Sequence, residues 1–132
     1  MMENKEKGVA QGQQGFTLVE LIVVIVILGI LAVVAIPKYI DLQDEAKKSA
    51  VQGVAGALAG AAAMNKAVEK ISGKATTTTD CDDYGPLLQG GLPTGYVIES
   101  LALTTDGVTC TVKTTDGAYT AGFMGYSVTA AP

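Results

Sequence analysis

Residues 16–36 read FTLVELIVVIVILGILAVVAI, directly after Gly15. These 21 residues hold one ionisable side chain, Glu20. As an α-helix they extend about 31 Å at about 1.5 Å per residue, which matches a hydrocarbon core of about 30 Å. The pattern predicts a transmembrane-length helix, because a remainder of roughly a hundred residues is too small to bury so long an apolar element in its own core. Gly29 interrupts the run and Pro37 ends it. Proline removes a backbone donor and crowds the carbonyl four residues earlier, here that of Val33. Glycine weakens a helix interior by about 1 kcal/mol relative to alanine. The stretch 29–37 is therefore expected to be the softest part of the helix.

Outward from this run, residues 1–15 are polar, rich in Gly and Gln, and without periodicity, which reads as a disordered leader. Residues 37–72 are expected to continue as an amphipathic helix. Lys47, Val51, Val54, Leu58, Ala61, Asn65 and Val68 follow a three/four spacing, so one stripe can dock on a neighbouring element. Gly56 and Gly60 form a small-xxx-small pair, which fits either contact between subunits or close packing on the chain's own sheet. Residues 73–132 form the expected small β head. Thr76 to Thr79 read as a linker and Cys81-Asp82-Asp83-Tyr84-Gly85-Pro86 as a turn-rich loop. Strands are predicted over 96–104, 108–113 and 118–128, with Asp106-Gly107 and Asp116-Gly117 as hairpin turns between them. The fold class is thus α+β: a long N-terminal helix packed on a small C-terminal antiparallel sheet.

Composition narrows the chemistry. The chain of 132 residues carries 9 basic residues, all lysine, against 13 acidic ones, for a net charge of −4. No window has the Lys/Arg density of a nucleic-acid surface, so no nucleic acid is expected as a partner. There is no His and no Trp. Ser-His-Asp and Cys-His catalysis are excluded, and two cysteines alone cannot close a zinc site. No P-loop or dinucleotide fingerprint is present. The chain is therefore expected to be non-enzymatic, with no cofactor and no metal. Asp80, Asp82 and Asp83 could gather a calcium ion, but their spacing is not that of an EF-hand and reads as a solvated turn. Cys81 and Cys110 most simply form one disulfide if the chain is exported, and are two unrelated buried thiols if it is cytosolic.

The junction Gly15-Phe16-Thr17-Leu18-Val19-Glu20 is the informative site. A secretory signal is cut after its apolar stretch. Here the apolar stretch begins directly after a Gly, so removal of the leader at that point would leave the greasy segment on the mature protein. This arrangement resembles the type IV pilin family: Gly, then a Phe that becomes N-methylated, then Thr-Leu-hydrophobic-Glu, then an apolar helix reaching a Pro. The run GILAVVAIPKYIDLQDEAKKSAVQG over 29–53 looks most like pilins of the mannose-sensitive haemagglutinin type. The resemblance implies cleavage between Gly15 and Phe16 by a prepilin peptidase and methylation of the new amine. It implies an inner-membrane subunit, single-pass with its C-terminal domain periplasmic, that the pilus assembly machinery polymerises into an extracellular filament. It also implies that a Cys81–Cys110 bond delimits a variable surface loop. Such a bond closes about 30 residues and would stabilise the head by about 3.5 kcal/mol in the chain-entropy model.

A role for Glu20 follows from physics as well. A carboxylate inside a membrane-length helix costs on the order of 2–3 kcal/mol at mid-bilayer and less near an edge. Such a group persists where it has a partner, and the Phe16 amine of a neighbouring copy is a suitable one. Glu20, Gly29 and Pro37 are thus the expected assembly residues. Two other functions share parts of the pattern: a pseudopilin of a type II secretion system, and a membrane-tethered binding domain.

Overall fold

The computed structural model describes residues 15–131. The leader expected over 1–15 lies outside the described residues, apart from Gly15 itself. One helix, α1 (Leu18–Ser72, 55 residues), takes up both helical segments read from the sequence and runs unbroken through Pro37. Pro37 lacks the N–H bond to the preceding turn and crowds the Val33 carbonyl, yet the helix continues past it. The helix stops at Gly73, whose φ of 66° places it in the left-handed region that glycine enters without cost. Its N–H closes the last turn on the Glu69 carbonyl at 3.0 Å.

The chain divides between Ile40 and Asp41 into two units. In the first, α1 has no buried residue, and among the described residues it is the one helix long and apolar enough to cross a membrane. In the second, the sheet has three antiparallel strands in the order β1 (Tyr96–Ile98), β2 (Val108–Thr114), β3 (Thr120–Gly125). The β2–β3 hairpin turns at Asp116-Gly117, as its sequence predicts, with Gly117 at φ 71°.

Burial on α1 falls on Val51, Ala55, Leu58, Ala62 and Asn65. The expected stripe shares Val51, Leu58 and Asn65 with this row. Val54 and Ala61 sit half-buried on its flank, and Lys47 and Val68 lie outside it. A period of 3.6 permits steps of three or four, and the observed row takes the alanines at 55 and 62 into the core. Gly56 and Gly60 do not make that approach: nothing lies within 4 Å of where a Cβ would stand on either. The core opposite α1 is formed by Cys81, Tyr84, Leu103, Cys110, Val112 and Phe123. Tyr84 is fully buried and meets the Phe123 ring edge-on at 5.8 Å. Its hydroxyl donates to the Tyr126 carbonyl and accepts from the Tyr126 N–H, both at 2.6 Å.

Two local readings are corrected. Residues 81–86, read as a loop, begin a 3₁₀ helix, Cys81–Leu87. The strand expected over 96–104 ends at Ile98, and Asp106-Gly107 is not a tight hairpin between β1 and β2. Residues 100–103 instead cross to 79–81: the Cys81 N–H donates to the Leu101 carbonyl at 3.0 Å, and the Leu103 N–H to the Thr79 carbonyl at 2.8 Å. The Asp80 carboxylate draws the segment over by accepting from Ser100 Oγ at 2.9 Å and the Leu101 N–H at 2.8 Å. Gly107 pairs with β3 through the Gly125 carbonyl at 3.1 Å.

Candidate processing and assembly site

The start of α1 brings Gly15, Phe16 and Glu20 together on one short segment. Thr17 stands at the N-cap and Glu20 three residues on, the spacing of a capping box. The Thr17 N–H donates to Glu20 Oε2 at 2.8 Å, and the Thr17 hydroxyl donates to the same oxygen at 2.9 Å. The Glu20 N–H returns a bond to Thr17 Oγ1 at 3.2 Å. These bonds satisfy backbone donors that a helix start leaves open, and they set an anion at the positive end of the helix dipole. The sequence reading missed the role of Thr17, although a Thr three residues before a Glu at the head of an apolar run is the signal for it.

Phe16 is 94 % exposed, so its ring makes almost no contact with its own chain. Gly15 is exposed as well, with nothing within 4 Å of where a Cβ would stand. Gly29 and Pro37 lie on the same helix, about 14 and 26 Å along its axis from Glu20. Both are exposed. The other two residues singled out from the sequence belong to the second unit: Cys81 and Cys110 form a disulfide between the 3₁₀ helix and β2, with their Cα atoms 5.7 Å apart and both residues fully buried.

In the second unit the acidic turn is occupied by its own backbone. Asp83 Oδ2 accepts from the N–H groups of Thr79 at 2.8 Å and Asp80 at 3.0 Å, so Asp80 and Asp83 act as caps and braces. A hydrogen bond with Asp80 raises the Asp82 carboxyl above the usual aspartate range. Two polar clamps were not legible in advance. Lys66 Nζ pairs with Glu69 at 2.8 Å and Asp106 at 3.1 Å, and donates to the Ser127 carbonyl at 2.8 Å. Its hydrogen bonds to Glu69 and Asp106 push the ammonium above the ordinary lysine value, and the bond from Lys66 holds Glu69 below the usual carboxylate value. The Tyr119 hydroxyl donates to Asp44 Oδ1 at 2.6 Å, and Lys47 stands 5.9 Å from the Tyr119 ring centre. The hydrogen bond to Asp44 raises the phenol above its usual value.

Residues 11–36 match the prokaryotic N-terminal methylation motif. The match takes in Gly15, Phe16, Thr17, Glu20 and Gly29. It supports a prepilin-type substrate, pilin-like or pseudopilin-like, handled by a prepilin peptidase, and the apolar half of α1 fits anchoring in a membrane. Comparison with curated proteins and with solved structures gives no match.

Proposed function

We propose that the chain is a structural subunit of a type IV pilus, cut between Gly15 and Phe16, methylated on the Phe16 amine and polymerised through residues 16–36. The observation that carries this reading is the start of α1: an apolar surface exposed along its whole length, with one carboxylate four residues past the cut. A retained segment of this kind needs lipid first and other copies of itself afterwards. In the bilayer the subunit is single-pass, leader inside and residues 37–132 on the periplasmic side, where an oxidising milieu suits the disulfide. In the fibre, helix contact replaces lipid contact. Glu20 then accepts the Phe16 amine of a neighbouring subunit, and that pair sets the stagger between copies.

Within the same reading, Gly29 and Pro37 bound a segment that loosens in the fibre. The open face at Gly56 and Gly60 admits a close-packed neighbour. The partners are the prepilin peptidase, the inner-membrane assembly machinery and other copies of the chain. The fibre serves adhesion or related surface behaviour, and the mannose-sensitive haemagglutinin type is the kind of pilin the sequence favours.

Intact-mass analysis of envelope-bound protein, with electron microscopy of material sheared from the cell surface, tests the proposal. The expected result is a chain starting at N-methylated Phe16 and thin fibres that contain it. A mature chain beginning after Pro37, or one never cut, refutes it. Correct processing without surface fibres transfers the chain to the secretion pseudopilins. Glu20→Ala with unchanged fibre yield removes the role given to Glu20.

A further inference from the structure

We propose that Tyr119 straps α1 to the β2–β3 hairpin, and that this strap sets how far loosening of the helix can run toward the core of the head. It rests on the function proposed above, in which residues 29–37 loosen in the fibre, and adds the group that stops the loosening. On the buried side of α1 the row Val51, Leu58 and Asn65 recurs every seven residues. One step further toward the N-terminus the same row holds Asp44, and every residue from 41 to 50 is exposed. At that step a hydrogen bond stands in for burial: the Tyr119 hydroxyl donates to Asp44 Oδ1 at 2.6 Å. Among the described residues it is the one hydrogen bond from residues 41–50 to the sheet. Lys47, nearly one turn on, stands 5.9 Å from the Tyr119 ring centre.

Tyr119 is itself firmly held. Its carbonyl accepts from the Thr114 N–H at 3.0 Å, and its own N–H donates to Thr114 Oγ1 at 3.2 Å. Asp116 braces the turn between them by accepting from the Ala118 N–H at 3.0 Å. The arm is thus anchored at its root and grips α1 by its tip. This grip differs in kind from the packing that begins at Val51. Buried apolar contacts are lost only when the core opens, whereas water competes for an exposed hydrogen bond and leaves it a small net worth. The strap can therefore let go while the head stays folded. Pro37 supplies no N–H to the turn before it, so opening has a natural start there. Opening that spreads from Pro37 meets Asp44 first and Val51 second, two stops about 10 Å apart along the helix axis.

Amide exchange along α1, measured on the detergent-extracted full chain, tests the strap in the parent and in Tyr119→Phe. Phenylalanine keeps the ring beside Lys47 and removes only the hydroxyl. The amides of residues 44–50 should exchange about fivefold faster in Tyr119→Phe, the scale of one water-exposed hydrogen bond, while those of 55–65 keep the parent's rates. In an Asp44→Ala background, which has no carboxylate to grip, the same change at Tyr119 should have no effect. Unchanged exchange at 44–50 overturns the inference. So does a rise that extends through 55–65, which would make Tyr119 a part of the general stability of the head, or an effect that persists without Asp44. Fibres of Tyr119→Phe, stretched in an optical trap, should lengthen more than parental fibres at equal load, and equal lengthening removes the role of the strap in the fibre. Parent cells that make no fibre overturn the proposed function and not the strap, whose exchange pattern is read on the single subunit.

Discussion

At Gly125 a side chain as small as alanine's would place a carbon 2.7 Å from Cys110 Sγ, 2.9 Å from Leu103 Cδ2 and 3.2 Å from Tyr84 Cε2. All three neighbours are buried, and one of them is tied into a disulfide, so none can step aside cheaply. Gly125→Ala is expected to cost about 1–3 kcal/mol by overpacking, measured as a fall in the urea midpoint of the detergent-extracted chain. Equal stability would mean that the sheet relaxes freely around this point. The sequence did not single out Gly125, since its constraint comes from residues 15, 22 and 41 positions away and not from any turn. Cys81 and Cys110 were the opposite case. Two thiols alone in the chain have one another as the simplest partner, and the resemblance to an exported family favoured the bonded state. Glu20 lay between these cases: a lone acid in an apolar run attracts notice, but its bond to Thr17 needed the helix start to be recognised as a cap.

At the scale of elements, periodicity gave the amphipathic half of α1 but not its phase. Val54 against Ala55, or Ala61 against Ala62, is a choice between neighbours on a 3.6-residue period. In the structure the row falls on Ala55 and Ala62, which are buried where Val54 and Ala61 are half-buried. Gly60 illustrates the other side of the helix. With nothing within 4 Å of a built Cβ, Gly60→Ala is expected to stabilise the subunit by about 0.5–1 kcal/mol through helix propensity, visible as a higher urea midpoint. The Lys66 clamp, which joins α1 to residues 106 and 127, makes an acid-side prediction. Glu69 is held below its ordinary value of 4.5, so its contribution is present above that pH and is lost as pH falls through the lowered value. Lys66, raised above 10.5, keeps its contribution up to that pH and loses it only beyond. Thermal midpoints should therefore drop below pH 4.5 in the parent, and Lys66→Met should flatten that drop. Identical acid profiles in parent and variant would count against the clamp.

Taken as a whole, the molecule was legible where the chain is locally ordered and opaque where distant segments meet. The long helix and the Asp116-Gly117 hairpin follow from patterns within a dozen residues. The diversion of 100–103 toward 79–81 depends on the Asp80 carboxylate some 20 positions away in sequence, and no local propensity announces it. The disulfide then holds this arrangement together across a sequence separation of 29. Replacing both cysteines by alanine is expected to destabilise the head by about 3.5 kcal/mol, readable as a lower urea midpoint that reductant no longer changes.

The uninterrupted exposure of the apolar half of α1, residues 18 to 36, has a further physical consequence for a polymer of such chains. A copy set adrift in water would have to carry that oily flank bare, at a penalty that rises with every uncovered methylene. In the proposed fibre, shrinkage would therefore proceed only at an end that touches a bilayer. A break in mid-span leaves two lasting pieces rather than a drizzle of monomers.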